Sequence, residues 1–407
     1  MKLHVRHILS LALLALSATP MLSLSQPLDT ATRMSQIQVI GTHNSYHEGI
    51  AKNEQSLWSP EHAKWLSSLQ YIHQSLTKQL NDGVRQLELD VYADHAGGLY
   101  AHPIGPKLVA KAGLPADPDF DPQHVMTQPG FKVMHIQDLD YRSVCQPFTA
   151  CLKEIRTWSQ AHPDHVPVYI LIEPKEAVLE WVFPTTKPEP MDSAAFNALD
   201  AEIKSVFSAN EILTPDDVRG NNGTLNHVVL TKGWPTLAQS RGKAMFLLDV
   251  QKLGPIYLDG HPSLKGRVLF TNAQPGTPDA AFIEINTPDA QKIADLVREG
   301  YLVRTRSDDA VQMITNATIL QRDTALASGA QIVSTDYPRS EPESDTGFKV
   351  QMPDGTMMRC NPVNAPAACR SDALEPPQVK NDPFFLQPPR RISTARFNLF
   401  FNLSQYS

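Results

Sequence analysis

Beyond residue 25 the chain has no apolar run long enough to cross a bilayer, which takes about 20 consecutive residues, so no transmembrane helix is predicted. It has no run of Lys or Arg. Its formal charge is -7 and its pI is near 6.0, which argues against a nucleic-acid partner held through its phosphates. No Gly-rich loop follows a predicted strand, which argues against an open nucleotide-binding sheet. Cysteine is scarce, four residues in all, and no Cys-x-x-Cys occurs, which argues against a thiolate zinc site.

The four cysteines lie in two close pairs. In an oxidising compartment they read as local disulfides, Cys145–Cys151 and Cys360–Cys369, among three possible connectivities. The N-terminus agrees with export: Lys2 and Arg6 precede a short apolar stretch, Ile8 to Leu16, and then the small residues Ala18, Ser23 and Ser25. Residues 1–25 are therefore expected to be a signal peptide, and the protein to be secreted or periplasmic. The remainder has a globular composition, 42% apolar and 19% charged over the whole chain, with ample material for a core. Its 33 prolines crowd into loops and the tail, so long ordered loops are expected.

Strand and helix patterns alternate. Ile37 to Gly41 reads as a short buried strand running into Thr42-His43-Asn44-Ser45-Tyr46-His47. Leu66, Leu69, Ile72, Leu76 and Leu80 form one helical stripe, stopped by Asn81-Asp82-Gly83. In the strand from Val84 to Tyr92, Leu87, Leu89 and Val91 face one way, and Gln86, Glu88 and Asp90 the other. Two like charges on one strand face repel unless a cation or a proton lies between them. Residues 103–130 read as a long rim or lid loop. Further strands are predicted at Phe131–Ile136, Val168–Ile172, Ala244–Leu248, either Val268–Phe270 or Phe282–Ile285, Tyr301–Arg306 and Gln331–Thr335, with helices between them. About eight strands in this rhythm predict an α/β fold, a (β/α)8 TIM-type barrel over residues 26–340, followed by an irregular, disulfide-clipped extension over 341–407.

In such a barrel the strand ends converge on one mouth. They would bring together His43 and Asn44, Glu88 and Asp90 with His102 just after, His135 and Asp138, Glu173 and Lys175, Asp249, Arg304 and Arg306, and Asp336. Three carboxylates and an amide oxygen form a hard-oxygen set suited to Ca²⁺ or Mg²⁺. Two histidines beside such an ion supply proton transfer, and Lys175 and the arginines suit a phosphate. Other readings are plainer: His47, His62 and His73 as surface or structural residues, His135 as a core histidine, and Arg304 turned to solvent.

At these residues the chain resembles the secreted, calcium-dependent members of the phosphoinositide-specific phospholipase C family. The matching segments are GTHNSYH at 41–47, RQLELDVY at 85–92, GGLYAHP at 97–103, FKVMHIQDLDYRSVC at 131–145 and ILIEPK at 170–175. The resemblance implies a PLC-like phosphodiesterase barrel with Ca²⁺ bound by Asn44, Glu88, Asp90 and Glu173, and with His43 and His102 as the catalytic pair. His135, Lys175, Asp249, Arg306 and Asp336 would contact substrate or support the site. In the expected reaction the inositol 2-hydroxyl attacks the phosphorus within the same molecule, and Glu88 takes its proton. His43 donates a hydrogen bond to the phosphoryl oxygen, and His102 protonates the departing diacylglycerol. The expected partner is a phosphoinositide lipid met peripherally at a membrane surface by a monomer. Two alternatives stand beside this reading, a glycerophosphodiester phosphodiesterase of the same fold and a secreted barrel that binds without catalysis.

Overall fold

The centre of the computed structural model is a ring of parallel strands. The structure describes residues 26–58, 66, 68–178, 185–309 and 314–376. Two compact units divide the chain, Met1–Glu375 and Pro376–Ser407, and the first contains the ring. The proposed signal peptide, His62 and the tail residues from 377 onward lie outside the described residues.

The staves are β1 (Ile37–Thr42), β2 (Gln86–Tyr92), β4 (Val168–Pro174), β5 (Ala244–Leu248), β6 (Phe270–Thr271), β7 (Phe282–Ile285), β8 (Leu302–Arg306) and β9 (Ile332–Thr335). Hydrogen bonding runs β6-β5-β4-β2-β1-β9-β8-β7, and a single parallel bridge, Asn272–Phe282, joins the two ends. The barrel is thus nearly closed. β4 is apolar along almost its whole length because both its faces are covered. β2 alternates: Leu87, Leu89 and Val91 join the apolar core, and Glu88 and Asp90 point the other way.

Around the staves lie α1 (Leu76–Asn81), α2 (Ile104–Lys111), α3 (Phe148–Ala161), α4 (Ser193–Val206), α5 (Ala290–Glu299) and α6 (Asn316–Ala327). α3 buries Phe148, Cys151, Leu152, Ile155 and Trp158, at three- and four-residue spacing, against the same core. α4 is capped by the Asp192 carboxylate, which accepts from Ala195 N–H, and α5 ends at Gly300 with φ 119°, a left-handed conformation that suits glycine.

Several expectations are corrected. The apolar stripe from Leu66 to Leu80 is not one helix: residues 70–75 have no regular secondary structure, α1 begins only at Leu76, and Ile72 is 61% exposed. A periodic spacing can arise in a loop whose apolar residues are buried one at a time, as Leu69 and Tyr71 are. The strand expected at Phe131–Ile136 is not a stave. Only β3 (Lys132–Val133) forms, pairing antiparallel with the end of β2. The choice between Val268–Phe270 and Phe282–Ile285 dissolves, since both segments contain staves, β6 and β7. The segment 103–130 contains α2 rather than loop alone.

Both disulfides form as read, Cys145–Cys151 and Cys360–Cys369. The second clips β10 (Met358–Cys360), which pairs antiparallel with β1. Farther along, the Glu375 carboxylate receives the buried Arg85 guanidinium, so residues 341–375 are fastened to the back of β1 and β2.

Candidate active site

β1 and β2 pair at only one position, Gly41 with Gln86. A Cβ at Gly41 would lie 2.0 Å from Gln86 Oε1, so this glycine lets Gln86 turn into the barrel. Beyond it the Ser45 N–H still donates to the Glu88 carbonyl at 3.0 Å, and side chains add to the ladder. Glu88 N–H donates to Ser45 Oγ at 2.7 Å, and the Thr42 hydroxyl donates to Gln79 Oε1 at 2.7 Å. The turn this creates carries Asn44 at φ 44°. Asn and Asp adopt that left-handed conformation more readily than other non-glycine residues. Backbone and network together hold His43 and Asn44 over the mouth.

The His43 Nδ1 proton is taken by Asp336 Oδ1 at 2.7 Å, and Arg306 Nη2 donates to the other oxygen of that carboxylate at 2.9 Å. His43 Nε2 is 3.5 Å from Glu88 Oε1. Burial, then the charges of Arg306, Arg304 and His135, hold the His43 pKa well below the usual imidazole value, so the ring is neutral.

Opposite lies an acidic cluster. Carboxylate oxygens of Glu88, Asp90 and Glu173 lie within 4.8 Å of one another. Glu88 Oε2 accepts from Arg304 Nη2 at 2.6 Å. β2 and β8 are not neighbours, so this bond crosses the barrel interior. Arg304 also pairs with Glu284 and donates to Asn286, so it faces inward rather than solvent. Lys175 Nζ lies 2.9 Å from Asp90 and 2.6 Å from Glu173.

The charges do not balance. Glu88, Asp90, Glu173, Asp249 and Glu284 act on one another, with Lys175 and Arg304 set among them and Arg306, itself paired with Asp336, acting on Glu88. Burial, with Asp249 and Glu173 adding to it against Arg304, pushes Glu88 up to about 7. Asp90, Asp249 and Glu284 are raised as well, burial again being the largest cause. Asp90 is fully buried, and Oδ1 has no hydrogen-bond donor. Such a set is short of positive charge and fits a hard divalent cation. Asn44 belongs beside it: Tyr46 donates to Asn44 Oδ1 at 3.3 Å and lies against Asp90, while Asn44 Nδ2 donates to Tyr71 at 2.7 Å.

A second imidazole comes from the segment after β3. His135 Nδ1 donates to Asp140 Oδ2 at 2.8 Å, and the ring is partly exposed at the mouth. Asp140 also receives His47 Nε2 at 2.8 Å, and His47 Nδ1 donates to the Tyr71 carbonyl at 2.8 Å. Burial would lift Asp140, yet His47 and His135 hold it well below the usual carboxylate range. Burial opposes charge on His47, but the Asp140 charge and bond outweigh it and raise its pKa. For His135 burial prevails, and its pKa is lowered.

The structure therefore brings together His43, Asn44, Glu88, Asp90, Glu173, Lys175, Arg306, Asp336 and His135, with Asp249 among the carboxylates. It does not bring His102, which is exposed and lines a separate cavity beside α2. Chain proximity to Asp90 is a poor guide, because the turn after β2 carries residues 97–103 away from the mouth. Asp140, Tyr46, Tyr71 and Glu284 also belong to the site, and no sequence signal singles them out. His47 is structural, as one plain reading had it, but it is buried rather than on the surface. Asp140 stands five residues from His135, a spacing that nothing in the sequence separates from an ordinary turn.

Several solved structures are similar. A calcium-dependent phosphoinositol-specific phospholipase C from Pseudomonas sp., with myoinositol, aligns at TM-score 0.49 and 17% identity, over 82% of this chain and 97% of that one. A Ca²⁺-dependent phosphatidylinositol-specific phospholipase C from Streptomyces antibioticus aligns at 0.47 and 18%, over 75% and 95%. The phosphatidylinositol-specific phospholipase C of Listeria monocytogenes aligns at 0.40 and 13%, over 76% and 91%. No curated protein sequence matches. Residues 32–362, most of the chain, match the profile of the Ca²⁺-dependent phosphoinositide phospholipase C family, and the protein belongs to that family of phosphodiester-cleaving enzymes.

Proposed function

We propose that this is an exported, Ca²⁺-dependent enzyme that cleaves phosphatidylinositol-type lipids into diacylglycerol and an inositol phosphate, with His43 and His135 as its catalytic pair. The observation that carries the reading is the arrangement of two imidazoles, each oriented by its own carboxylate, beside a carboxylate trio short of positive charge. Export is supported by the two disulfides and by the composition of residues 1–25.

Asn44, Glu88, Asp90 and Glu173 would hold the ion, which when bound lowers the pKa of a coordinated hydroxyl and offsets phosphoryl charge. Asp336 keeps the proton of His43 on Nδ1, leaving the Nε2 lone pair to accept the proton of the inositol 2-hydroxyl. This revises the sequence-based assignment of that task to Glu88, whose Oε2 is already taken by Arg304. The hydroxyl attacks the phosphorus of its own molecule, so the encounter is intramolecular. Lys175 and Arg306 supply fixed positive charge for the phosphoryl oxygens. Asp140 fixes the His135 ring with Nε2 free, and a phosphodiester anion beside it favours the protonated form, which donates to the departing diacylglycerol oxygen.

Supplying purified protein with phosphatidylinositol and with glycerophosphoinositol tests the reading. Release of diacylglycerol that stops in excess chelator is expected. Release of glycerol from the second compound alone, or full activity in chelator, would overturn it.

A further inference from the structure

The segment between Leu69 and α1 runs beside the turn that follows β1 and is bound to both of its ends, His43 and His47. His73 N–H donates to the His47 carbonyl at 2.8 Å, and His47 Nδ1 donates to the Tyr71 carbonyl at 2.8 Å. The His73 ring bridges the His43 carbonyl, at 2.9 Å, and the Glu341 carboxylate, at 2.5 Å. Glu341 also accepts from Gln74 N–H at 2.9 Å, which fixes the segment a second time.

Tyr71 is thereby set among three imidazoles, its ring centroid 4.4 Å from that of His47, 5.7 Å from His73 and 6.0 Å from His43. It is buried, and its hydroxyl oxygen accepts from Asn44 Nδ2 at 2.7 Å. The two halves of an amide are of opposite use to a cation: the oxygen is a ligand, and the NH₂ is a pair of donors that repels one. Beside buried carboxylates, an Asn with no other acceptor turns its NH₂ to them, because that bond satisfies both groups. Asn44 does not. Tyr71 takes Nδ2, and Oδ1 is left on the side where Tyr46 meets both it and Asp90. The backbone of Asn44, at φ 44°, does not make this choice, since a half-turn of the amide exchanges N and O without moving Cβ.

We propose that Tyr71 is a positioning residue for the metal site, holding the Asn44 amide with its oxygen toward the carboxylates and its NH₂ away from them. The inference rests on the proposed calcium site and adds to it a residue that ligates nothing.

Calorimetric titration of the full chain, freed of metal by chelation, with calcium chloride tests it. Tyr71→Phe keeps the ring against His47 and removes only the acceptor, and its calcium affinity is expected to fall about tenfold. Asn44→Gly, which suits the left-handed backbone, separates positioning from packing. In that background Tyr71→Phe is expected to change calcium affinity less than twofold, because no amide remains to hold. A tenfold loss there as well would show that Tyr71 acts by another route and would overturn the inference. A parent chain that binds no calcium would overturn the calcium site and this inference with it. Calcium binding in the parent, with a loss of less than threefold in Tyr71→Phe, would overturn this inference alone.

Discussion

The two imidazoles at the mouth rest on different foundations. His43 leans on Asp336, whose second oxygen is held by Arg306 at 2.9 Å. His135 leans on Asp140, whose partner is His47 at 2.8 Å. A guanidinium stays charged at any pH the protein survives, whereas an imidazole does not. The first pair is anchored in two staves and is indifferent to mild pH change. The second is built from loops outside the ring and depends on a titratable support. An imidazole at the mouth can thus be oriented either by the barrel itself or by a buried side chain brought in from elsewhere.

The largest expected effect removes an imidazole. His43→Ala and His135→Ala should each lower turnover by about 10²–10⁴-fold, the range for lost proton transfer, with little change in melting temperature. Activity within threefold of the parent in His135→Ala would dissolve the second pair. Next come the carboxylates. Asp336→Asn and Asp140→Asn should both reduce kcat through loss of the required tautomer. Asp140→Asn should also cost several kcal/mol of stability, because it leaves a fully buried His47 without its counter-charge, and Asp336→Asn should cost stability likewise through Arg306.

A smaller effect distinguishes the supports by pH. The folded pKa of His47 is raised, so its contribution to stability is fully present below about pH 6.5, the unfolded value, and is lost as pH rises through the folded one. Asp140 is depressed, so its contribution is present above about pH 4 and is lost as pH falls below that. The melting temperature of the parent should therefore decline above neutrality relative to that of His47→Gln. Parallel pH curves for the two would refute the charged His47. The smallest effect is expected from His102→Ala, with turnover within twofold of the parent; a hundredfold loss would return His102 to the mouth.

Much of the site was legible because strand parity is local. Glu88 and Asp90 are two residues apart, and any regular strand puts both on one face; Arg304 and Arg306 follow the same rule. The disulfides were legible because close pairs leave few geometries. The single helix across Leu66–Leu80 failed because apolar spacing does not distinguish a helix from a loop with anchors. The third strand failed because Phe131–Ile136 is apolar enough for a stave yet serves as an antiparallel flank to β2.

The sequence by itself determined that acidic and imidazole side chains stand at strand ends, since alternation is set by neighbours along the chain. Which loop histidine stands at the mouth beside the acidic cluster was decided only in three dimensions. His47 and Asp140 are 93 residues apart, and their contact holds His135 in place. Residues 97–103 are held elsewhere, by Tyr100 buried against Tyr92 and by Gly98 N–H on the Met126 carbonyl, and His102 lines the outer cavity. Pairing across that distance depends on how the staves close, and no local pattern encodes it.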